Sequence, residues 1–504
     1  MICAALILFA APRTMAQLRE TVTVEVVDVP VYVVAPDGKP VRGLTRDAFT
    51  LRIDGKTHPI EYFEVLDFGA AQPDKEVAPQ RDRRLDLLLF DLTFAVPARL
   101  VKAQQAAEKA IDQSNPATDL FAVATYSSSR GVFFVTPFLR DRAALRRALH
   151  TLRASTAHDA LAMTISKDER NAWKDFQGDP DSGGANAVGA GPELVDMLKG
   201  GEANQANLAE PTRRRVEELF DGIRDAVDRM RDLEGQKHVL LFTQGFDAGL
   251  VHGLPASGPG IPEVDARLMR TLEEMNRRFR AAGVMLDSVD VAGLRHSMAV
   301  DENEAALWML ARGTGGQVIH NQNDLSGALT ALTSTQQVVY LLGFRRTDNR
   351  AHSIEVHVDG APHGSNLYYR TGFGESAKGP IDAIQLADIM LNDIPQSGLT
   401  VALEVAPSAG AAAFEITLQR AEIAAQLPES APYLDVLLYV FSDSGEAIAS
   451  AATKIPFDGK AAGRNVMSIR KSIALDPGKY VARVLLRAGN TSALGFARKE
   501  LVVP

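Results

Sequence analysis

The chain has 504 residues, too many for one hydrophobic core, so several domains are expected. Hydrophobic residues make up 46% and charged residues 23%, which excludes a disordered or fibrous chain. A formal net charge of −9 gives no electrostatic reason to bind nucleic acid or anionic lipid, so neither is expected as a partner.

Residues 1–16 read as a signal peptide: a short apolar run, then Pro12-Arg13 and a small residue at Ala16. A basic segment ahead of the run is missing, and a buried N-terminal strand is the alternative. Export is the expectation, to the periplasm, the cell surface or the medium. Cys3, the only cysteine, lies inside this leader, so the mature chain holds no disulfide and no thiolate metal site. No stretch approaches the ~20 apolar residues of a spanning helix, and no integral membrane segment is expected.

Residues 17–80 form an N-terminal β region. Residues 21–29 alternate as a half-buried strand does, and further strands at 48–53 and 58–66 are separated by turns at Pro36-Asp37-Gly38 and Asp54-Gly55-Lys56. So few strands cannot bury both faces alone. Residues 69–84, with Pro73 and Pro79, read as a linker.

The texture changes over residues 84–337. Apolar strands at 85–91, 119–126, 238–243, 284–291 and 317–320 alternate with helical spacing at 96–113, 140–152, 211–234, 263–282, 302–312 and 324–337. This order predicts a doubly wound, Rossmann-like α/β fold with a mainly parallel sheet. In the helix at 211–234, Pro211 reads as a start signal and Gly235 as the stop. Residues 157–210 interrupt the pattern with Gly-rich segments, one helix candidate at 193–198, and Trp173. They read as a flexible insertion, or as a lid.

Strands at 338–345, 352–358 and 366–371 are expected to complete a sandwich with the N-terminal β region, giving that sandwich a second part at 338–375. The region 398–504 has strands at 399–406, 413–419, 433–442, 468–474, 480–488 and 493–503, with Pro/Gly turns. It predicts an immunoglobulin-like β-sandwich.

An open parallel sheet binds ligands beyond the carboxyl ends of its strands. Strand 85–91 delivers Asp91-Leu92-Thr93-Phe94-Ala95 to that edge. This loop resembles the metal-binding Asp-x-Ser-x-Ser loop of von Willebrand factor type A (VWA) domains. There, a carboxylate and two hydroxyls join residues from two further loops to give Mg²⁺ its octahedron of hard oxygens. The segment from Gly235 to Asp247 is similar to the family strand ending in Ser/Thr-Asp-Gly, and Ala311-Arg312-Gly313-Thr314-Gly315-Gly316 to its Ala-x-x-Thr-Gly-Gly turn. A closer resemblance is to the VWA-related proteins abundant in acidobacteria. It is carried by Val41-Arg42-Gly43-Leu44-Thr45-Arg46-Asp47-Ala48-Phe49, Asp54-Gly55-Lys56, Tyr340-Leu341-Leu342-Gly343-Phe344 and Arg370-Thr371-Gly372-Phe373, and it covers residues 22–373.

The resemblance implies a rim of Asp91, Thr93, Ala95, Gln244 and Asp247 as the ligand-binding edge. It also implies a metal set of Asp91, Thr93 and Thr156, the last where the family's second-loop threonine falls. The departures make that set degenerate: Ala95 lacks the second hydroxyl, and Gln244 stands where the family has a carboxylate. Without a relative in view, Asp91 caps the turn that follows it and Thr93 is a turn hydroxyl. The ten histidines are scattered, with no His-Glu-x-x-His pair. Ser127-Ser128-Ser129 lacks the Gly-x-Ser-x-Gly frame, and Gly313-Thr314-Gly315-Gly316 precedes a strand, the wrong order for a phosphate loop.

The expectation is an exported, non-enzymatic interaction, adhesion or scaffold module with a protein partner and no cofactor. A working Mg²⁺ site is the second reading. A hydrolase using His252 or Asp247 is the third.

Overall fold

Strands buried on both faces read as continuous apolar runs, and four such runs lie parallel at the centre of the computed structural model, with a short fifth parallel strand at the edge. The structure describes residues 26–69, 79–156, 201–252, 264–294, 302–346, 348–374, 381–427, 433–457, 465–489 and 491–504. The expected leader at 1–16 lies outside them.

The N-terminal strands are β1 (Val26–Val34), β2 (Phe49–Ile53), β3 (Lys56–His58) and β4 (Tyr62–Asp67). The α/β unit begins with β5 (Arg84–Asp91), α1 (Pro97–Gln113), β6 (Asp119–Ser127), β7 (Gly131–Phe134), α2 (Arg142–Thr156) and α3 (Gly201–Met230). It continues through β8 (Gln236–Thr243), α4 (Gly249–His252), α5 (Ala266–Ala282), β9 (Val284–Asp290), α6 (Glu302–Thr314), β10 (Val318–Ile319) and α7 (Leu325–Thr335).

The sheet order is β10-β9-β8-β5-β6-β7, with β7 antiparallel to β6 at the edge. Val216, Phe220, Met275, Phe279 and Leu310 of α3, α5 and α6 cover one face; Leu100, Ile111, Leu149 and Leu329 of α1, α2 and α7 cover the other. This is a doubly wound α/β layer. From β5 the chain steps outward to β6 and then returns to place β8 on the other side of β5. The strand order therefore reverses between β5 and β8, and a crevice opens beyond the carboxyl ends of that pair.

After α7 come β11 (Val338–Arg345), β12 (His352–Val358), β13 (Asn366–Tyr369) and β14 (Gly372–Phe373). They intercalate with the N-terminal strands as two sheets, β13-β1-β11-β4 and β14-β12-β2-β3. Val29, Val31, Leu51, Tyr340, Phe344 and Ile354 fill the space between them. The C-terminal part holds α8 (Ala383–Leu391), β15 (Val401–Ser408), β16 (Ala411–Gln419), α9 (Arg420–Gln426), β17 (Tyr433–Ser442), β18 (Ala447–Pro456), β19 (Val466–Ala474), β20 (Gly478–Ala488) and β21 (Leu494–Val503). Its sheets are β15-β16-β19 and β18-β17-β20-β21.

Polar side chains buried at the junctions tie these parts together. Tyr32 of β1 meets His238 Nε2 at 2.8 Å, and His238 Nδ1 meets Asp287 at 2.9 Å. Gln336 Nε2 donates to the same Asp287 oxygen at 2.9 Å. Arg83 is bidentate to Asp388 of α8, both bonds 3.1 Å, with both side chains buried. Arg487 of β20 pairs with Asp435 at 2.6 Å and donates to the Ile381 carbonyl.

Several elements differ from the sequence-based expectation. The strand expected at 58–66 breaks at Pro59, which cannot donate to a ladder, and β3 and β4 enter different sheets. The helix expected from Pro211 begins at Gly201, so Pro211 lies inside α3 and residues 201–210 leave the insertion. The rest of that insertion, with Trp173 and the 193–198 candidate, lies outside the described residues. β18 was not anticipated: Ala-rich and largely exposed, it lacks the β-branched alternation of a half-buried strand. The short α8 was also missed. Its Asp382 cap accepts from the Ile384 and Gln385 amides at 2.9 and 3.0 Å.

Candidate functional site

The crevice at the reversal point is built from three strand ends. Asp91 closes β5, Thr243 closes β8 and Asp290 closes β9, with Thr243 paired in register to Asp290. All three are buried. The β5 loop turns over the carboxylate: Asp91 Oδ1 accepts from the Thr93 amide at 2.8 Å and the Phe94 amide at 3.0 Å. Thr243 Oγ1 donates to Asp91 Oδ2 at 2.6 Å and accepts from the Gly245 amide at 3.1 Å. Burial pushes the Asp91 carboxyl upward, and the bonds from Thr243, Phe94 and Thr93 oppose that shift.

The other rim residues are engaged in the same way. Thr93 Oγ1 accepts from the Ser128 amide at 2.9 Å, tying the β5 loop to the turn after β6. Gln244 Oε1 accepts from the Val96 amide at 2.6 Å and so holds the start of α1, where Val96 has no side-chain cap to offer and Pro97 no N–H. Ala95 packs into the core beside α1. Asp247 points away from the crevice: its Oδ1 accepts from the Gly249 amide at 2.8 Å and starts α4. Thr156 closes α2, and its side chain lies outside the described residues.

Gly245 carries the β8 loop past α6. Its φ is +77°, and a Cβ there would stand 2.1 Å from the Asn303 carbonyl oxygen. Phe246 anchors that loop between Phe94 and Phe220, with ring centroids 5.9 and 5.7 Å apart. Around the crevice, Val96 and Leu294 present apolar side chains to solvent, 44% and 49% exposed. Arg99 reaches from α1 to the Ala292 carbonyl and braces the β9 loop.

The site brings Asp91, Thr93 and Gln244 to one rim and leaves Asp247 on its flank. Thr243 and Asp290 belong to it as well. Thr243 stood in the motif without a role, and its position as the last residue of an apolar strand beside β5 was the available signal. For a hard divalent cation the donor set fits poorly. Both Asp91 oxygens take N–H or O–H donors, the Gln244 oxygen takes an amide, and Ala95 offers none. Among the described residues, no three His, Cys, Asp or Glu side chains converge as a metal set.

No family model matches the chain, and no characterised relative matches it. Among solved structures it is similar to an aerotolerance-related membrane protein from Bacteroides fragilis, at 13% identity and TM-score 0.28, over 50% of this chain and 97% of that one. It is also similar to the conserved hypothetical protein BatB from Bacteroides thetaiotaomicron, at 11% identity and TM-score 0.27, over 50% and 98%. The manganese-loaded TRAP protein of Plasmodium vivax aligns at 10% identity and TM-score 0.25, over 63% and 98%. At such scores these likenesses carry no argument about ligand, metal or activity.

Proposed function

We propose that the chain is an exported, non-enzymatic interaction or scaffold module whose contact face is the rim around Asp91, and that it engages a protein partner without a metal. The observation that supports this most is that the oxygens of Asp91, Thr93, Thr243 and Gln244 are each engaged by neighbouring amides or hydroxyls, with the exposed Val96 and Leu294 beside them. A rim whose polar groups are already satisfied costs little to desolvate, and apolar side chains around it supply contact area. Among the described residues, no helix is long and apolar enough to cross a membrane. The hydrolase alternative gains no support, because Asp247 spends an oxygen on the start of α4 and His252 sits exposed at that helix's end.

The test is quantitative capture from the exported protein fraction of the source cells by immobilised wild type. It is compared with Val96→Asp/Leu294→Asp, each in Mg²⁺ and in EDTA. Partners retained in both buffers and lost with the double variant support the proposal. Retention that the variant does not affect removes the rim from it. Capture that requires Mg²⁺ replaces it with the metal-dependent reading.

A further inference from the structure

At the opposite end of the sheet, the N-terminal ends of β8 and β9 face the sandwich across a cleft of about 340 Å³. Its lining is mostly polar: Lys237 and Arg370 face its interior with Arg81 at its edge, and Val27, Pro30, Leu341 and Phe373 add an apolar patch. Arg370 is 9% exposed, and its Nε has no hydrogen-bond partner. Burial pulls the pKa of Arg370 down and the charge of Asp28 on the cleft wall pulls it back, yet Nε stays unspent, and a planar fork of donors matches a carboxylate or a phosphate. Its Nη1 lies over Gly283, the C-terminal cap of α5, where a Cβ would stand 2.9 Å away. The helix end therefore supplies partial negative charge, far less than a full anion.

Lys237, 9% exposed, donates Nζ to the Arg231 carbonyl at 2.8 Å. Burial first and the neighbouring Arg370 next pull its ammonium down to about 7, against the opposing charges of Asp232 and Glu234. Arg346, stacked 5.6 Å over the Phe373 ring, adds a third cation to the wall. Asp28 and Glu234, both exposed, also line the cleft.

We propose that this cleft is a binding site for a small organic carboxylate, with the carboxylate on Arg370 and Lys237 and an apolar body against Val27, Pro30, Leu341 and Phe373. The acidic Asp28 and Glu234 on the lining repel compact, multiply charged anions such as inorganic phosphate more than a single carboxylate. The site is independent of the rim around Asp91, because it uses the other ends of the strands.

The experiment is calorimetric titration of the full chain with sodium acetate, butyrate, benzoate and phosphate at constant ionic strength, with chloride as the control. Saturable binding that tightens from acetate to benzoate is expected, with affinity at least tenfold weaker in Arg370→Gln and several-fold weaker in Lys237→Met. Asp28→Asn, an exposed position expected to fold, should tighten benzoate several-fold by removing a like charge. The proposal is overturned by no saturable binding beyond chloride, by phosphate binding in preference to benzoate, or by benzoate binding that Arg370→Gln leaves unchanged. If Arg370→Gln does not fold, Asp28→Asn decides, and unchanged or weaker benzoate affinity overturns the site.

Discussion

Replacing Asp86 with asparagine should raise stability at neutral pH relative to acid pH, and the size of the change follows from where the carboxyl sits. Asp86 lies inside β5, is 1% exposed, and leaves Oδ1 without a hydrogen-bond partner. Its register neighbours are Phe121 and His238. Burial pushes its pKa up from 3.8 to about 6; the charges of Arg84 and His238 pull it back, and those of Asp119 and Asp287 add to the rise. A carboxyl whose folded value is raised binds more protons in the folded chain than in the unfolded one between those two values. Stability therefore falls as pH rises through that window, and the loss is complete above it. Two units correspond to about 3 kcal/mol. Asparagine does not ionise, so the stability difference between variant and wild type should move in the variant's favour by about 2 kcal/mol between pH 4 and pH 7.5. Any constant offset from burying an amide cancels in that comparison. Trp308 lies on α6, so the unfolding of the α/β unit in urea is followed by far-UV circular dichroism together with the change in Trp308 fluorescence. A stability difference independent of pH would refute the reasoning and show that Asp86 ionises as it does in water.

Three further outcomes are expected. Asp388→Ala leaves the Arg83 guanidinium buried without its bidentate partner, which should cost about 3–5 kcal/mol and speed proteolytic cleavage ahead of α8, read by limited digestion. Thr243→Val removes the donor to Asp91 Oδ2 and the acceptor of the Gly245 amide; a loss of roughly 1–3 kcal/mol in urea unfolding is expected, and added Mg²⁺ should not restore it. Gly245→Ala forces a Cβ against the Asn303 carbonyl at a positive φ, so it should cost at least about 1–3 kcal/mol and raise hydrogen exchange in the loop after β8.

Much of the architecture was legible along the chain because burial on two faces writes itself as uninterrupted apolar residues. The runs ending in Asp91 and in Thr243 declare buried strands by their composition, whereas their pairing as neighbours was implied only by the family resemblance. The flanks carried the same signal: β1 pairs with β11 across most of the sequence, and both strands are apolar runs buried along nearly their whole length. Where elements are exposed or short, that signal fails. β18 has little apolar alternation to show, and α8 is only nine residues long and is fixed by distant partners, Arg83 on Asp388 and Arg483 on its last carbonyls.

At the rim, residue identities told which oxygens were missing, since Ala95 and Gln244 are what they are in any fold. Only the folded chain decided how the remaining ones are spent. A carboxylate's partners are set by which amides and hydroxyls come within about 3 Å, and here these come from the loop of β5 and from the end of β8, far away in sequence. The same holds at the other end of the sheet. Lys237 and Arg370 look like ordinary surface cations in the sequence, and both line one cleft because β8 and the loop after β13 come together there. Hydrophobic periodicity depends on neighbours along the chain and can be read in one dimension, whereas charge pairing depends on distance in space and cannot.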